Sequence, residues 1–186
     1  MRGAAGDNEA LFPGSRLDLH LFEPRYRVMM KRVVETTRSF AYVPNFRSYS
    51  ASVGDPALIA KVDECEFYAD GRAMIQAKIG KRYTITEHYV EEGTQGLHYC
   101  RLAPLHDDAM DEEQLSQATS LVEVSHVIWG SLFSRNVKDR LEWRFGKAPV
   151  VATAGPEMFS LWMVAVSPLP ESEKNRLLSS KGHNFT

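Results

Sequence analysis

The chain has 186 residues, 44% hydrophobic and 25% charged, with 22 lysines and arginines against 24 aspartates and glutamates. That is the composition of one globular domain, or two small closely packed ones, large enough to fold without a disulfide framework or a structural metal. The formal charge of −2 argues against a general nucleic-acid or anionic-membrane binder, which carries a basic excess or a basic stripe.

Residues 1–9 are small and polar and read as a loose end. From Arg16 the pattern alternates, with Leu17, Leu19 and Leu21 on one face and Asp18 and His20 on the other, which is a half-buried strand. Pro24 suits the first turn of a helix, where its missing N–H has no partner to lose. That helix is expected to run to about Thr37 with Tyr26, Met29, Met30, Val33 and Val34 as its buried stripe. Phe40–Phe46 reads as an edge strand interrupted by Pro44, and the stretch from Phe46 to Pro56 as a polar loop. Ala57–Tyr68 alternates, with a phase shift at Asp63-Glu64 that predicts a bulge. Asp70-Gly71 predicts a two-residue hairpin. The return strand turns Ala73, Ile75, Ala77 and Ile79 inward, bends at Gly80 and continues with Tyr83 and Ile85. Lys78, Lys81 and Arg82 read as a solvated strand face. Residues 93–96 turn the chain into a last strand, Leu97–Leu105.

Beyond Pro104 the character is helical. Asp107, Asp108, Asp111, Glu112 and Glu113 crowd a helix start, where negative charge meets the positive end of the backbone dipoles. One long apolar stripe follows: Leu115, Ala118, Val122, Trp129, Leu132, Phe133, Val137 and Leu141, with Gly146 and Pro149 ending it. Pro156 opens a second helix, 157–166, apolar nearly all round and expected between layers. A third helix at 171–180 looks amphipathic and poorly anchored at its tail. Strands followed by helices give an α+β fold, and five or six short antiparallel strands in about 100 residues are expected to curl into a small barrel. The boundaries are a flexible 1–9, a β subdomain at 10–106 and a helical subdomain at 107–186, tightly packed on the first.

The sequence carries few marks of catalytic chemistry. There is no Gly-x-x-x-x-Gly-Lys-Ser/Thr loop, since Gly80-Lys81 is followed by Arg82 and Ile75 stands at the first glycine position. No Gly-x-Ser-x-Gly elbow and no His-Glu-x-x-His helix occurs. His88, His98, Cys100 and His106 are four candidate zinc ligands, but no Cys-x-x-Cys or His-x-x-x-His pair anchors them. Exposed strand histidines and a buried thiol are the preferred reading. Asp111, Glu112 and Glu113 are explained by the helix start. Cys65 and Cys100 are the only cysteines and are expected as buried thiols in a reducing compartment. With no secretion signal at Met1 and no apolar run near the roughly 18 residues of a membrane span, the chain is expected to be soluble and cytoplasmic, with the nucleus as an alternative. No metal or cofactor is implied. Four aromatic residues are candidates for partner contact: Phe46 and Tyr49 in the long loop, Trp143 between Glu142 and Arg144, and Trp129, for which core packing is the competing explanation.

Leu11-Phe12-Pro13-Gly14, followed by Leu17-Asp18-Leu19-His20-Leu21-Phe22-Glu23-Pro24-Arg25-Tyr26-Arg27, resembles the opening signature of the LON N-terminal domain. That domain begins the ATP-dependent Lon proteases and occurs in cereblon and in the LON-domain RING-finger proteins, the group this chain resembles most. The likeness continues through Asp70-Gly71-Arg72, Gly80-Lys81-Arg82-Tyr83 and Trp162-Met163-Val164-Ala165-Val166, over about nine-tenths of the chain. Asp18 departs from the apolar or proline residue usual there, and Ala41 stands where glycine is common. The resemblance implies a PUA-like antiparallel β-barrel with one early helix, followed by a C-terminal helical bundle. It also implies a non-catalytic module that grips other polypeptides, either substrates or a protease or ubiquitin-ligase complex, as a substrate-recognition adaptor. The residues of the motif (Phe12, Pro13, Gly14, His20, Phe22, Glu23, Pro24, Arg25, Tyr26) read as structural, with Glu23 and Arg25 pairing or capping where strand meets helix. The alternatives are an RNA-binding PUA-like protein, since such barrels contact RNA elsewhere, a small-molecule-binding adaptor of the same type, and an unrecognised hydrolase. The oligomeric state is left open.

Overall fold

The computed structural model describes residues 10–44 and 51–180. In chain order the elements are β1 (Arg16–Leu21), α1 (Pro24–Glu35), β2 (Ser39–Tyr42), β3 (Pro56–Phe67), β4 (Ala73–Glu91) and β5 (Leu97–Pro104). Four helices follow: α2 (Glu112–Leu132), α3 (Arg135–Phe145), α4 (Val151–Val166) and α5 (Glu171–Ser179). This is the α+β order the sequence predicts.

All five strands are antiparallel, in the order β1-β4-β3-β2, with β5 also paired to β4. β4 is the spine: its first half carries β1 (Leu21↔Ala73 to Arg16↔Lys78) and its second half β5 (Tyr83↔Pro104 to Glu91↔Leu97). The expected barrel closure is not found among the described residues. β2, only four residues long, pairs with β3 alone, so the sheet stays open along that edge. The Asp70-Gly71 turn also differs from expectation. Tyr68 N–H donates to the Arg72 carbonyl and Gly71 N–H to that of Tyr68 (2.9 Å each), so the loop has three residues. Gly71 takes the positive φ of 82° that such a loop requires at its last position.

Bulges set which side chains face inward. β3 carries one extra residue at Asp63, between the pairs Val62↔Ala77 and Glu64↔Gln76, where the sequence phase shifts. A second irregularity lies between Leu58↔Arg82 and Ala60↔Ile79, where β4 has the extra residue, at Gly80-Lys81. A Cβ on Gly80 would stand 3.2 Å from the Ile59 carbonyl oxygen, so the strands approach closely there. An extra residue re-aims the side chains beyond it. Ala73, Ile75, Ala77 and Ile79 face inward before the bulge, and Arg82 and Ile85 after it.

Arg82 is therefore not part of a solvated basic face: it is 3% exposed. Its Nη1 donates to the carbonyls of Leu178 and Ser180 (3.0 Å each) and its Nη2 to the carboxylates of Asp107 (2.7 Å) and Glu157 (2.6 Å). A buried guanidinium is tolerable only when paired in this way. It joins β4 to the segment after β5, the start of α4 and the end of α5. The tail of α5, expected to be loose, is thus held, and Leu178 is fully buried.

α2 opens with a reciprocal capping box: Gln114 N–H donates to the Asp111 carboxylate (2.8 Å), and Asp111 N–H donates to the Gln114 side chain (3.1 Å). The single long helix predicted to Leu141 is instead two. Phe133 turns extended (φ −115°, ψ 139°) and Ser134 starts α3; an apolar stripe that keeps its period across the junction conceals the break. In α4 the helical path is interrupted at Gly155 (φ 78°, ψ 165°). The helix expected from Pro156 thus begins there, preceded by one further turn. Phe159, Trp162 and Ala165 of α4 are buried with Phe12, Leu17, Leu58 and Ile79 from the other layer and Val122 and Trp129 from α2 in one shared core. A smaller cluster, Leu21, Met30, Val33, Val62 and Ile75, fixes α1 on the sheet. Arg32 extends from α1 to Glu91 (2.6 Å) and Tyr99 (2.5 Å).

Replacing Arg82 with methionine leaves Asp107 and Glu157 without their cation and frees the end of α5. Urea unfolding is expected to show a loss of about 3–5 kcal/mol, the usual effect of removing one partner of a buried pair. A loss below about 1 kcal/mol would mean that the clasp does not hold the layers together.

Candidate functional site

The N-terminal motif divides into an inward and an outward part. Phe12 and Pro13 are buried. Gly14 N–H donates to the Ile79 carbonyl and Ile79 N–H to that of Ser15, both at 2.8 Å. Gly14 (φ 96°) lies against the end of α3, where a Cβ on it would stand 3.0 Å from the Phe145 carbonyl oxygen. From the other side, a Cβ on Gly146 (φ 80°) would stand 2.9 Å from the Gly14 carbonyl oxygen. Trp162 Nε1 donates to the Gly146 carbonyl at 2.9 Å, so the two glycine turns and α4 lock together. Farther along, Glu23 holds Arg25 at 2.7 Å, and the Arg25 guanidinium lies 4.8 Å from the Tyr26 ring centroid. Pro24 opens α1 as predicted.

The outward part is different. His20 is exposed and Phe22 is 63% exposed. They continue the alternation of Arg16 and Asp18 onto the solvent side of β1. His20 lies 6.3 Å from both Phe22 and Tyr68, edge-on to the latter, and Arg72 covers Tyr68 at 5.9 Å. Of the motif residues, His20 and Phe22 thus lie on the solvent side of the strand. Strand alternation by itself places Phe22 outward with Asp18 and His20, and that was the available signal.

Between these aromatics and the start of β1 lies a groove of about 450 Å³, lined by Arg16, Asp18, Glu64, Glu66, Met74 and Gln76, with Cys65 and Ile75 at its floor. Arg16 Nε donates to both Asp18 oxygens (3.0 and 2.8 Å). At that end Trp143, 61% exposed, lies 4.9 Å from the Arg16 guanidinium. Arg144 Nη1 donates to the Arg16 carbonyl (3.3 Å), fixing α3 beside β1. The face thus runs from Trp143 to Phe22, about 20 Å at the rise of an extended strand. Carboxylates of Glu64 and Glu66 stand along one side, with Met74 exposed between the ends.

Of the two aromatic candidates among the described residues, Trp143 falls on this face. Trp129 is 5% exposed and edge-on to Trp162 at 4.7 Å, within the core. Phe46 and Tyr49 lie outside the described residues. Neither cysteine is fully buried, a difference from expectation. Burial still pushes both thiols above their ordinary value, with Arg38 pulling Cys65 partly back. Both are therefore protonated at neutral pH and poor nucleophiles. His88 Nε2 and His98 Nδ1 are 2.8 Å apart with stacked rings, and Cys100 lies opposite His88 on the paired strand. Among the described residues no three His, Cys, Asp or Glu side chains converge to hold a metal ion. Nor is any helix long and apolar enough to cross a membrane.

His98 is held below the ordinary imidazole value, first by burial and then by the charges of His88 and Arg25. An imidazole kept neutral by folding contributes stability that is intact above about pH 6.5 and lost as pH falls through its depressed value. An NMR titration should find the His98 midpoint below that of a free imidazole, and His88→Gln should raise it. An unchanged midpoint in that variant would show that the pair is not coupled.

Residues 6–182 match the family described as the ATP-dependent protease La (LON) substrate-binding domain. The fold is similar to that of a Lon N-terminal domain protein from Xanthomonas campestris, with a TM-score of 0.54 and 17% identity over 94% of this chain and 86% of that one. It is also similar to the N-terminal domain of the Mycobacterium avium complex Lon protease, with a TM-score of 0.50 and 12% identity over 92% and 91%.

Proposed function

The chain belongs to the LON substrate-binding domain family, and from that premise we propose that it recognises other polypeptides along the outer face of β1, β3 and β4. The observation that carries this is the pair of exposed aromatics that flank the groove, Phe22 just after β1 and Trp143 on α3 against Arg16. Large aromatics are normally buried, and when held on a surface by a stiff scaffold they serve as anchors for partners. The span suits an extended segment of about six residues. Glu64 and Glu66 favour basic side chains in that segment, and Met74 supplies an adaptable apolar surface between the anchors. Delivery of the captured polypeptide to a protease or ubiquitin ligase is the role implied by the resemblance of Leu11–Arg27.

The test is fluorescence anisotropy with a labelled, reduced and carboxymethylated protein as a permanently unfolded probe. The chain is expected to bind it, and Phe22→Ala together with Trp143→Ala is expected to weaken binding about tenfold, in the range of a lost interface anchor. Both side chains are exposed, so the melting temperature should stay within the scatter of surface substitutions. No binding above background, or equal affinity in the double variant, would refute the reading.

A further inference from the structure

The alternation of β1, β4 and β3 turns every second residue outward, and strand pairing gathers these residues into rows across the sheet. Arg16, Lys78 and Lys61 stand opposite one another in the first row, at the Trp143 end. Asp18, Gln76 and Glu64 form the second row, and His20, Met74 and Glu66 the third. Lys61 and Lys78 are exposed, as are Glu64 and Glu66. Neighbouring rows are two residues apart, about 7 Å along an extended strand. The face therefore carries a basic band followed by an acidic one.

Like charges directly opposite each other on paired strands destabilise a sheet, yet three cations share the first row. Asp18 takes up Arg16 at 2.8 Å. Among the described residues the side chains of Lys61 and Lys78 enter no hydrogen bond or ion pair, and neither do those of Glu64 and Glu66. A ligand complementary to both bands has the reverse pattern, with an anion over the first row and a cation over the second and third. A nucleic-acid strand lacks that pattern, because it repeats its phosphate at every nucleotide. One phosphate on Lys78 would bring the next towards Asp18 and Glu64. An extended polypeptide fits, since its side chains i, i+2 and i+4 face the sheet at the spacing of the rows.

We propose that this face selects polypeptide segments of split charge. An anionic group, a carboxylate or a phosphate monoester, docks on Lys78 between Lys61 and Arg16, and a basic side chain two to four residues away lies over Glu64 and Glu66. The inference rests on the polypeptide-binding reading of the face and adds the charge order that a bound segment needs. Lys61 and Lys78 act as specificity-determining residues, and the repulsion within their row is the cost to stability of supplying that specificity.

The test is fluorescence anisotropy of the full chain with two labelled peptides of one composition. In the first, a block of glutamates is followed closely by a block of lysines; in the second, the same residues alternate. The first is expected to bind about tenfold more tightly, the sum of several exposed charge pairs. Lys61→Gln with Lys78→Gln should abolish that preference while the melting temperature holds or rises, because like charges no longer face each other. A purely structural role for the lysines predicts the opposite change in melting temperature. A third peptide, with phosphoserines for the glutamates, identifies the source of the anion: tighter binding than the first assigns a phosphate, weaker binding a carboxylate. Equal affinity of the first two peptides overturns the inference, as does a preference that survives the lysine substitutions. Tighter, lysine-dependent binding of a labelled oligouridylate overturns it in favour of nucleic acid. If the carboxymethylated unfolded probe still binds through Phe22 and Trp143 in any of these cases, the polypeptide face stands and only the charge order falls. Loss of that probe as well marks failure of the polypeptide reading itself.

Discussion

The guanidinium of Arg82 sits where four segments of the chain meet, and the joining of strands to helices depends on it. It is carried inward by one extra residue at Gly80-Lys81, beside the close approach of Gly80 to the Ile59 carbonyl. Once inside, it must find acceptors, because an unpaired buried cation costs far more than the pairing yields. Two carboxylates and two helix-end carbonyls take up Nη1 and Nη2, while Nε is buried without a hydrogen-bond partner among the described residues. The helices are thereby positioned by hydrogen-bond geometry as well as by apolar packing, and packing alone is non-directional.

From this junction the remaining architecture follows in order. Gly14 and Gly146 bring the entry to β1 within backbone contact of the end of α3, and Arg144 ties α3 to the first residue of β1. Trp143 is therefore placed beside Arg16 by the same contacts that close the core. One strand, β1, serves both purposes: its leucines fill the interior while Arg16, Asp18, His20 and the following Phe22 face outward. A face built on a paired strand and a docked helix is rigid in itself, which reduces the entropy that the proposed binding must overcome.

The helices show a different economy. The apolar period of 112–141 is continuous in sequence, yet the chain breaks it at Phe133–Ser134. With the break, Val122 and Trp129 reach the core while Leu132, Phe133 and Val137 do not. Apolar content exceeds what one core can bury, and the surplus collects on the outward line of α2.

The sequence by itself determined the order of elements, the alternation of β1, the helix start at Pro24, the acidic cap of α2, the bulge at Asp63 and the restart at Pro156. Each is a local effect, of steric fit, periodicity or capping, readable within a few residues. Membership of the family is likewise legible in Leu11–Arg27. Only the tertiary structure decided that Arg82 is buried, that Trp129 is core while Trp143 is surface, that the tail of α5 is anchored, and that Phe22, Tyr68, Met74, Glu64 and Glu66 share one face with Trp143. These depend on contacts between residues up to 128 positions apart, as in the bond from Arg144 to Arg16. A single sequence records the side chains that meet at such distances but not the meeting, because the choice among partners is made by burial and hydrogen-bond satisfaction over the whole fold.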